Sequence, residues 1–461
     1  MICILKSAKL FLSHGKSALP IGAWILAAAW SHSLHGQDLG NKAPKQEAAI
    51  ALTGAVLHTV STGVIQTGWI RFSEGRITDL GEGDLPDFQE SVKIVPATGK
   101  HVYPGLISAY TQLGVKEINT ISESTDVSEV GDMNPEVQVM VALNPDSVHF
   151  PVARANGILS AVVFPSGGLM PGHAGLIRLD GWTTEDMTIV KDLGLVIQWP
   201  SPGRSRNKER LQGMGKSIEN LENLFQDARA YFSVRESDSK VPVDLRYEGL
   251  RSVLESGKDR GEVLPLFIKA QSYDQIVSAV DFSQRNQVRI IIVGGRDSVV
   301  CADLLKKYRI PVVLLSTLRL PKRADRPYDG PFQLPGELEA AGIDWCLASD
   351  ESNSAQRNLP YHAAMAAAFG LPQQSAVKSI TLSAARILGV GDQLGSLEPG
   401  KSATFFIADG SILEITTHVT DAYIDGRRIN LVSKQTRLRD KYREKYRQLG
   451  ILKTDPDTGR N

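Results

Sequence analysis

Apolar runs of strand length alternate with amphipathic helical patterns through residues 103–390. Near-continuous apolar strands are typical of parallel sheets whose two faces are both buried. Eight such runs predict a closed (β/α)8 TIM-like barrel of the α/β class, and a doubly wound open sheet is the alternative. The runs are VYPGLISAY, GILSAVVFP, AGLIRLD, LGLVIQWP, VLPLFIKA, VRIIIVGG, PVVLLST and IDWCLASD.

Both ends of the chain carry a different pattern, in which short β-type runs are separated by turn residues. These runs begin at Ala48, and the same pattern returns late in the chain in ATFFIADG and THVTDAYIDGRRINLV. Asp425-Gly426 lies between two short strands and is a hairpin signal. Two β-rich ends that flank one α/β middle predict a composite β-sandwich formed by both chain ends.

These patterns divide the chain into segments. The sandwich takes residues 37–104 and 391–432, and the barrel takes residues 105–390. Residues 200–262 form an insertion in the barrel, and residues 433–461 form a charged helical tail.

The insertion contains an amphipathic helix. The helix could cap the barrel mouth or mediate oligomerisation, and packing on the barrel wall is an equal alternative. Its apolar face is made of Ile218, Leu221, Leu224, Phe225, Ala228 and Phe232.

The first 36 residues have the features of a secretory signal peptide. Three lysines precede an apolar run from Leu19 to Trp30, and no acidic residue occurs before Asp38. The run is shorter than the ~20 residues that span a bilayer. We expect cleavage near Gly36 and export to the periplasm or the extracellular space. A retained anchor and a mis-assigned start codon are the alternatives.

Charge and cysteine content narrow the function classes. The chain has 51 basic and 51 acidic residues, which gives no indication of nucleic-acid binding or, once the signal is removed, of membrane binding. Cys301 and Cys346 remain after signal removal, and both lie in apolar contexts. We expect them to be buried thiols.

Three segments resemble the amidohydrolase superfamily, in particular its imidazolonepropionase-like and dihydroorotase-like branches. The first is ATGKHVYPGLISAYTQLG, which resembles the first barrel strand of that family. The second is LGSLEPGKSATFFIADG with the later YIDGRRI, which resembles the return into the sandwich, and the third is the preceding helix SAVKSITLSAARILGV. Together they frame residues 48–432.

The resemblance implies a metal-dependent hydrolase. In the family, two histidines of a His-x-His motif on strand one, one histidine after strand five, one after strand six and an aspartate after strand eight bind divalent metal, usually zinc. Such a metal activates the attacking water. In this chain the corresponding residues are Tyr110, Gln112, Lys269 or Gln271, Gly294 and Asp350, with Ser108 in place of the family aspartate of strand one.

Asp350 alone matches its family role. Tyrosine and glutamine are poor ligands for a catalytic divalent ion, and a lysine ammonium repels one. We therefore assign no metal ligands and no cofactor, although zinc is the family expectation. Asp350 and Lys269 are the candidate catalytic residues, and we expect them to form a salt bridge because an unpaired carboxylate would be costly in the barrel mouth.

Other residues are candidates for substrate binding. Tyr110, Gln112 and Gln271 belong to this set by position. Arg296 follows strand six and could bind a carboxylate, whereas the neighbouring Asp297 is interpreted as a helix cap. His173 lies in a Gly-rich loop on the expected active face, although a structural histidine is the more frequent outcome.

Two functions follow. The resemblance implies an exported hydrolase of carbon–nitrogen bonds other than peptide bonds, acting on small cyclic amides, with hydrolysis weak or absent. The alternative is a non-catalytic pseudoenzyme barrel that binds a small molecule or stabilises a partner. The expected partners are a small-molecule ligand and either a second copy of the chain or an active amidohydrolase.

Overall fold

A computed structural model describes residues 38, 40–88, 91–118, 120–201, 208–255, 263–322 and 327–452. The predicted signal peptide lies outside the described residues. Within these ranges no helix combines the length and apolarity needed to cross a membrane.

Eight strands form the barrel sheet, and each overlaps one of the eight apolar runs of the sequence. The predicted fold class is confirmed. The strands, in sheet order, are β6 Leu106–Thr111, β7 Ile158–Val163, β8 Gly172–Arg178, β9 Thr188–Gln198, β10 Leu266–Ala270, β11 Ile290–Gly294, β12 Val312–Leu315 and β13 Trp345–Ala348.

Strand β8 departs from the parallel pattern, because it pairs antiparallel with both β7 and β9. The other neighbouring pairs of this sheet are parallel. The connections explain the difference: residues 164–171 join β7 to β8 and residues 179–187 join β8 to β9. A parallel crossover needs about a dozen residues or more, so these short connections produce hairpin-like reversals.

Gln356 joins the first and last strands of the barrel sheet. Its side-chain oxygen accepts hydrogen bonds from Ser108 Oγ on β6 at 2.9 Å and from Ser349 Oγ, next to β13, at 2.7 Å. All three side chains are buried. One amide therefore closes the barrel at the point where β6 and β13 meet.

The two chain ends share a second sheet. Strand β14 from the C-terminal part pairs antiparallel with β5 from the N-terminal part, with Phe405 opposite Pro104. Asp425 and Gly426 both have positive φ, as a type I′ hairpin turn requires. The composite β-domain is confirmed. Its strands are β1 Ala49–His58, β2 Val64–Ser73, β3 Arg76–Glu82, β4 Val92–Pro96, β5 His101–Pro104, β14 Phe405–Ala408, β15 Val419–Ile424 and β16 Arg427–Arg428.

Helices cover the outside of the barrel. Numbered in chain order within the described residues, they are α1 His149–Arg154, α2 Thr184–Met187, α3 Lys208–Ser237, α4 Leu245–Leu254, α5 Tyr273–Asn286, α6 Ala302–Lys307, α7 Gly330–Ala340, α8 Leu359–Ala368, α9 Gln373–Ser379, α10 Leu382–Ile387 and α11 Lys434–Gln448.

The insertion helix α3 packs on the barrel wall. Its Phe225 ring meets the ring of Phe282 on α5 edge to face, with centroids 5.3 Å apart. Arg229 on the same helix donates a hydrogen bond to the carbonyl of Asn286 at the end of α5. These contacts support the wall-packing alternative.

Two further predictions, the charged helical tail and the buried cysteines, agree with the structure. The charged tail forms the helix α11, which buries none of its residues. Cys301 and Cys346 are buried free thiols, and burial raises the pKa of Cys301 to about 11.

Candidate functional site at the barrel mouth

The candidate site lies where the parallel strands end. Carboxyl ends of β6, β7 and β9–β13 meet at one rim of the barrel, as is usual for the active face of this architecture. Because β8 is antiparallel, its first residue lies at the same rim.

Lys269 and Tyr110 form the central contact of the mouth. Lys269 Nζ on β10 donates a hydrogen bond to the Tyr110 hydroxyl on β6 at 2.7 Å. The ammonium also lies 4.8 Å from the centroid of the Tyr110 ring. Phe164 supports this ring from the end of β7, with centroids 4.8 Å apart, and Phe164 itself packs edge to face on Phe267. The Lys269 ammonium is therefore held in place by the Tyr110 phenol, whose ring packs against the buried ring of Phe164.

Gln112 is tied to the rim loops. Its side-chain amide donates to Ser166 Oγ at 3.1 Å, in the Gly-rich loop after β7. Its backbone carbonyl accepts a hydrogen bond from Asn353 Nδ2 at 2.8 Å, in the segment after β13. Gln112 thus links two loops of the mouth.

Gln271 covers Gly294 at the ends of β10 and β11. Gly294 has φ +116°, a conformation that residues with a Cβ rarely adopt. A Cβ there would lie 2.7 Å from Gln271 Cδ and 2.8 Å from the carbonyl oxygen of Ala270. Gln271 Oε1 is buried without a hydrogen-bond partner among the described residues. Gln271 therefore supplies, at the ends of these strands, a buried acceptor that no described residue satisfies.

Asp350 and Lys269 do not form the expected salt bridge. Lys269 uses Tyr110 as its partner, and no ion pair joins Lys269 to Asp350 in the described part of the chain. Asp350 is exposed and has φ +51°, so the backbone turns sharply after β13. The prediction of this ion pair was wrong because strand order alone does not specify where side chains point.

Arg296 and Asp297 form a local pair. Arg296 Nε lies 3.4 Å from Asp297 Oδ1. Asp297 Oδ2 also accepts a hydrogen bond from the backbone N–H of Tyr273, the first residue of α5. Asp297 therefore satisfies the first backbone N–H of α5, whose N-cap is Ser272, and does not cap the helix that follows it in sequence.

His173 points away from the mouth. Its Nδ1 lies 2.8 Å from Asp192 Oδ1, and its Nε2 lies 2.9 Å from the carbonyl oxygen of Gly249 on α4. Both partners are acceptors, so the arrangement is complete when both ring nitrogens carry a proton. Burial raises the pKa of Asp192, but hydrogen bonding to His173 and the histidine charge outweigh burial and hold that pKa below its usual range. The geometry assigns His173 a structural role.

A buried histidine at the rim has no counterpart among the predicted site residues. The backbone N–H groups of Thr317 and Leu318 donate to His362 Nδ1 at 3.2 and 3.3 Å, so the proton of the neutral ring lies on Nε2. His362 Nε2 lies 3.6 Å from Glu351 Oε2. Burial lowers the pKa of His362, the charge of Glu351 opposes this shift, and the charge of Arg319 adds to it. In the sequence His362 is a lone histidine in an alanine-rich helix, which gives no signal of this environment.

The donor set does not fit a catalytic metal. Among the described residues, no group of three or more histidine, cysteine, aspartate and glutamate side chains is arranged to hold a metal ion. Tyr110 and Lys269, which the resemblance places at ligand positions of strands one and five with Gln271 as the alternative for strand five, are bonded to each other. We derive no reaction step through a metal at this site.

Comparisons with known proteins agree with the fold. A family model described as the amidohydrolase family matches residues 288–433. The amidohydrolase tasK of Hapsidospora irregularis is 22% identical over 396 residues, which cover 78% of this chain and 39% of tasK. The chain therefore spans about two fifths of the length of this curated relative.

Solved structures extend the comparison. An amidohydrolase from Thermotoga maritima MSB8 superposes with a TM-score of 0.73 at 22% identity, covering 83% of this chain and 99% of that one. A prolidase complexed with N-methylphosphonate-L-proline has a TM-score of 0.51 at 14% identity, with coverage of 83% and 99%. At these identities the structural likeness establishes the fold.

Proposed function

We propose that the barrel binds a small molecule at its mouth without a catalytic divalent metal. The similarity to the amidohydrolase family supports the barrel, and the residues that stand at most of that family's metal-ligand positions are poor ligands. The observation that carries the proposal is the Lys269–Tyr110 hydrogen bond. It places a positive charge where the family resemblance implies a metal.

Electrostatics support this proposal. A +1 and a +2 charge about 4 Å apart repel by roughly 8 kcal/mol at an effective dielectric constant near 20. Solvent reduces that figure because Lys269 is only half-buried. A metal bound beside Lys269 would still have to overcome several kcal/mol with few anionic ligands to compensate.

Backbone geometry adds a second obstacle to metal binding. A histidine at position 294 would need a positive φ of 116° and would overlap the Gln271 side chain. Gln271 with its unsatisfied oxygen, and Gln112 with its loop contacts, line the mouth with hydrogen-bonding groups suited to a small polar ligand.

Hydrolysis of cyclic amides is the competing function. It is supported by family membership, and the neighbouring structures include proteins named as a prolidase and a phenylurea hydrolase. The prediction of an exported location, and that of a second copy or an active amidohydrolase as partner, stay predictions.

Elemental analysis and ligand screening test the proposal together. The full chain, dialysed against zinc, should retain only substoichiometric metal and should show no turnover across a cyclic-amide panel. A small-molecule panel should give ligands that raise the melting temperature, and both Lys269→Met and Tyr110→Phe should reduce that shift.

Two results would overturn the binding function. One is a tightly held stoichiometric zinc that is lost in Asp350→Asn, together with amide turnover. The other is ligand stabilisation that Lys269→Met and Tyr110→Phe leave unchanged. Glu414→Gln, on a loop of the composite domain away from the mouth, is the matched control and should behave like the wild type.

A further inference from the structure

A cavity of about 210 Å³ opens beside the barrel mouth, outside the Lys269–Tyr110 contact. It lies between the loop after β11, the loop after β12 and helix α7. The loops after strands six and seven of the barrel therefore supply most of its wall, at the rim where this architecture usually binds ligands.

Arg319 is the unusual group of this cavity. Its side chain is half-buried, and among the described residues it has no hydrogen-bond or ion-pair partner. A guanidinium has five N–H donors, and a desolvated cation without a partner is costly. Burial lowers the pKa of Arg319, the charge of Asp350 opposes this shift, and the charge of Arg296 adds to it. An anion bound here would remove this cost.

Arg296 provides a second cation from the adjacent loop. Among the described residues it contacts Asp297 through Nε at 3.4 Å, and its two terminal nitrogens make no hydrogen bond there. Lys322 lies exposed at the rim of the same cavity. Two guanidinium groups on neighbouring loops can approach one anionic group from two sides.

The charge balance of the walls favours a singly charged ligand. Three cations line the cavity, and two carboxylates, Asp297 and Glu337, lie among them. Asp297 is already used by Arg296 and by the start of α5. The lining residues alone therefore carry one excess positive charge, and the nearby charge of Asp350 reduces it further, so a carboxylate suits the cavity better than a doubly charged phosphate ester.

Most of the rest of the lining is apolar. Val299, Pro331 and Leu334 form part of the wall, and Val300 and Leu320 are exposed at 62% and 78% on the cavity side. Exposed aliphatic side chains next to a guanidinium favour a ligand with an apolar body and one anionic end.

We infer that this cavity is a subsite for a small apolar carboxylate, whose anionic end pairs with Arg319 and Arg296 and whose body packs on Val299, Leu320 and Leu334. The inference rests on the proposed binding function and names the class of ligand. Planar guanidinium–carboxylate pairs supply the geometric specificity.

Isothermal titration of the full chain with three probes tests the inference. Benzoate carries an apolar ring and one carboxylate, benzamide is its neutral counterpart, and phenyl phosphate is the dianionic one. Benzoate should bind roughly tenfold more tightly than either, because only benzoate matches one excess charge and the apolar wall. Arg319→Met should lose about tenfold in benzoate affinity and remove the preference over benzamide. Arg319→Lys should retain part of the benzoate affinity, because an ammonium keeps the positive charge but lacks the planar pair of N–H donors of a guanidinium.

One variant serves as the control for this experiment, and four outcomes would overturn the subsite. Arg439→Met, on the exposed helix α11, should leave benzoate affinity unchanged. If Arg319→Met does not fold, Arg296→Met provides the same test with a smaller loss. Equal binding of benzoate and benzamide, tighter binding of phenyl phosphate, no binding of any probe, or benzoate binding that is insensitive to both arginine variants would overturn the subsite. Metal content and amide turnover decide the proposed function separately, so either idea can fail without the other.

Discussion

At the scale of single residues, the position of a residue at the barrel mouth does not determine which groups its side chain contacts. Lys269 and Tyr110 lie at strand ends, and the fold brings Lys269 Nζ to 2.7 Å from the Tyr110 hydroxyl although the two residues are 159 positions apart in the chain. His173 is a candidate because its Gly-rich loop lies on the expected active face, but its ring contacts Asp192 and the carbonyl of Gly249. The side of the barrel was predicted for all three, whereas the partner of each depends on packing.

Replacement of His173 by alanine tests its structural role. The change leaves Asp192 and the Gly249 carbonyl without their buried partner, and we expect a loss of about 2–4 kcal/mol in the free energy of unfolding. Urea unfolding followed by circular dichroism measures it. His418→Ala is the control, because the His418 side chain is 72% exposed. Equal stabilities of the two variants would contradict a structural His173.

At the scale of the element, the number of residues that connect two strands decides whether the strands run parallel or antiparallel. The segment AGLIRLD has the apolar content of a parallel strand, yet β8 runs antiparallel. Eight residues, 164–171, separate it from β7 and leave no room for a crossover helix. Loop length was present in the sequence and could have corrected the expectation of a uniformly parallel barrel.

Paired strands β1 and β5 predict a pH dependence of stability. His58 Nε2 lies 2.9 Å from His101 Nδ1, and the His58 ring stacks on Tyr103. Burial, and next the charge of His101, lower the pKa of His58 from 6.5 to about 4. Between these two values the unfolded chain binds more protons than the folded one, so the free energy of unfolding should fall as the pH drops from 6.5 to 4.

Chemical denaturation at several pH values measures this slope. His58→Phe retains a ring that can stack on Tyr103 but cannot titrate, so the slope between pH 6.5 and 4 should become smaller. The surface variant His418→Ala should keep the wild-type slope. A slope that His58→Phe does not alter would exclude the strand pair as its origin.

At the scale of the whole molecule, two long-range junctions hold the architecture together. Strand β14 pairs with β5, which joins the chain ends in one sheet. Gln356 joins Ser108 to Ser349, which brings the first and last barrel strands into contact. Each junction is made by segments more than 200 residues apart in the chain.

Gln356→Ala should open the barrel seam. The two serine hydroxyls would lose a buried acceptor and a small cavity would remain, so we expect a loss of about 2–3 kcal/mol in the free energy of unfolding. Hydrogen exchange should show the largest gain in β6 and β13. Gln374→Ala on the exposed face of α9 is the control and should be close to neutral. Uniform exchange across the barrel would argue against a local seam.

The sequence by itself determined the architecture, and its resemblance to a known family implied which residues stand at that family's metal-ligand positions. Periodicity and strand length are local properties, so the eight strands and the composite domain could be predicted. The resemblance of three framing segments implied that Tyr110, Gln112, Lys269 or Gln271, and Gly294 stand at the family's ligand positions. Only the tertiary structure decided that Lys269 pairs with Tyr110 and not with Asp350, and that His173 faces α4. It also places Arg319, which has no hydrogen-bond or ion-pair partner among the described residues, beside a cavity whose wall is partly apolar. Side-chain direction and pairing depend on contacts between residues far apart in the chain, which no local pattern records.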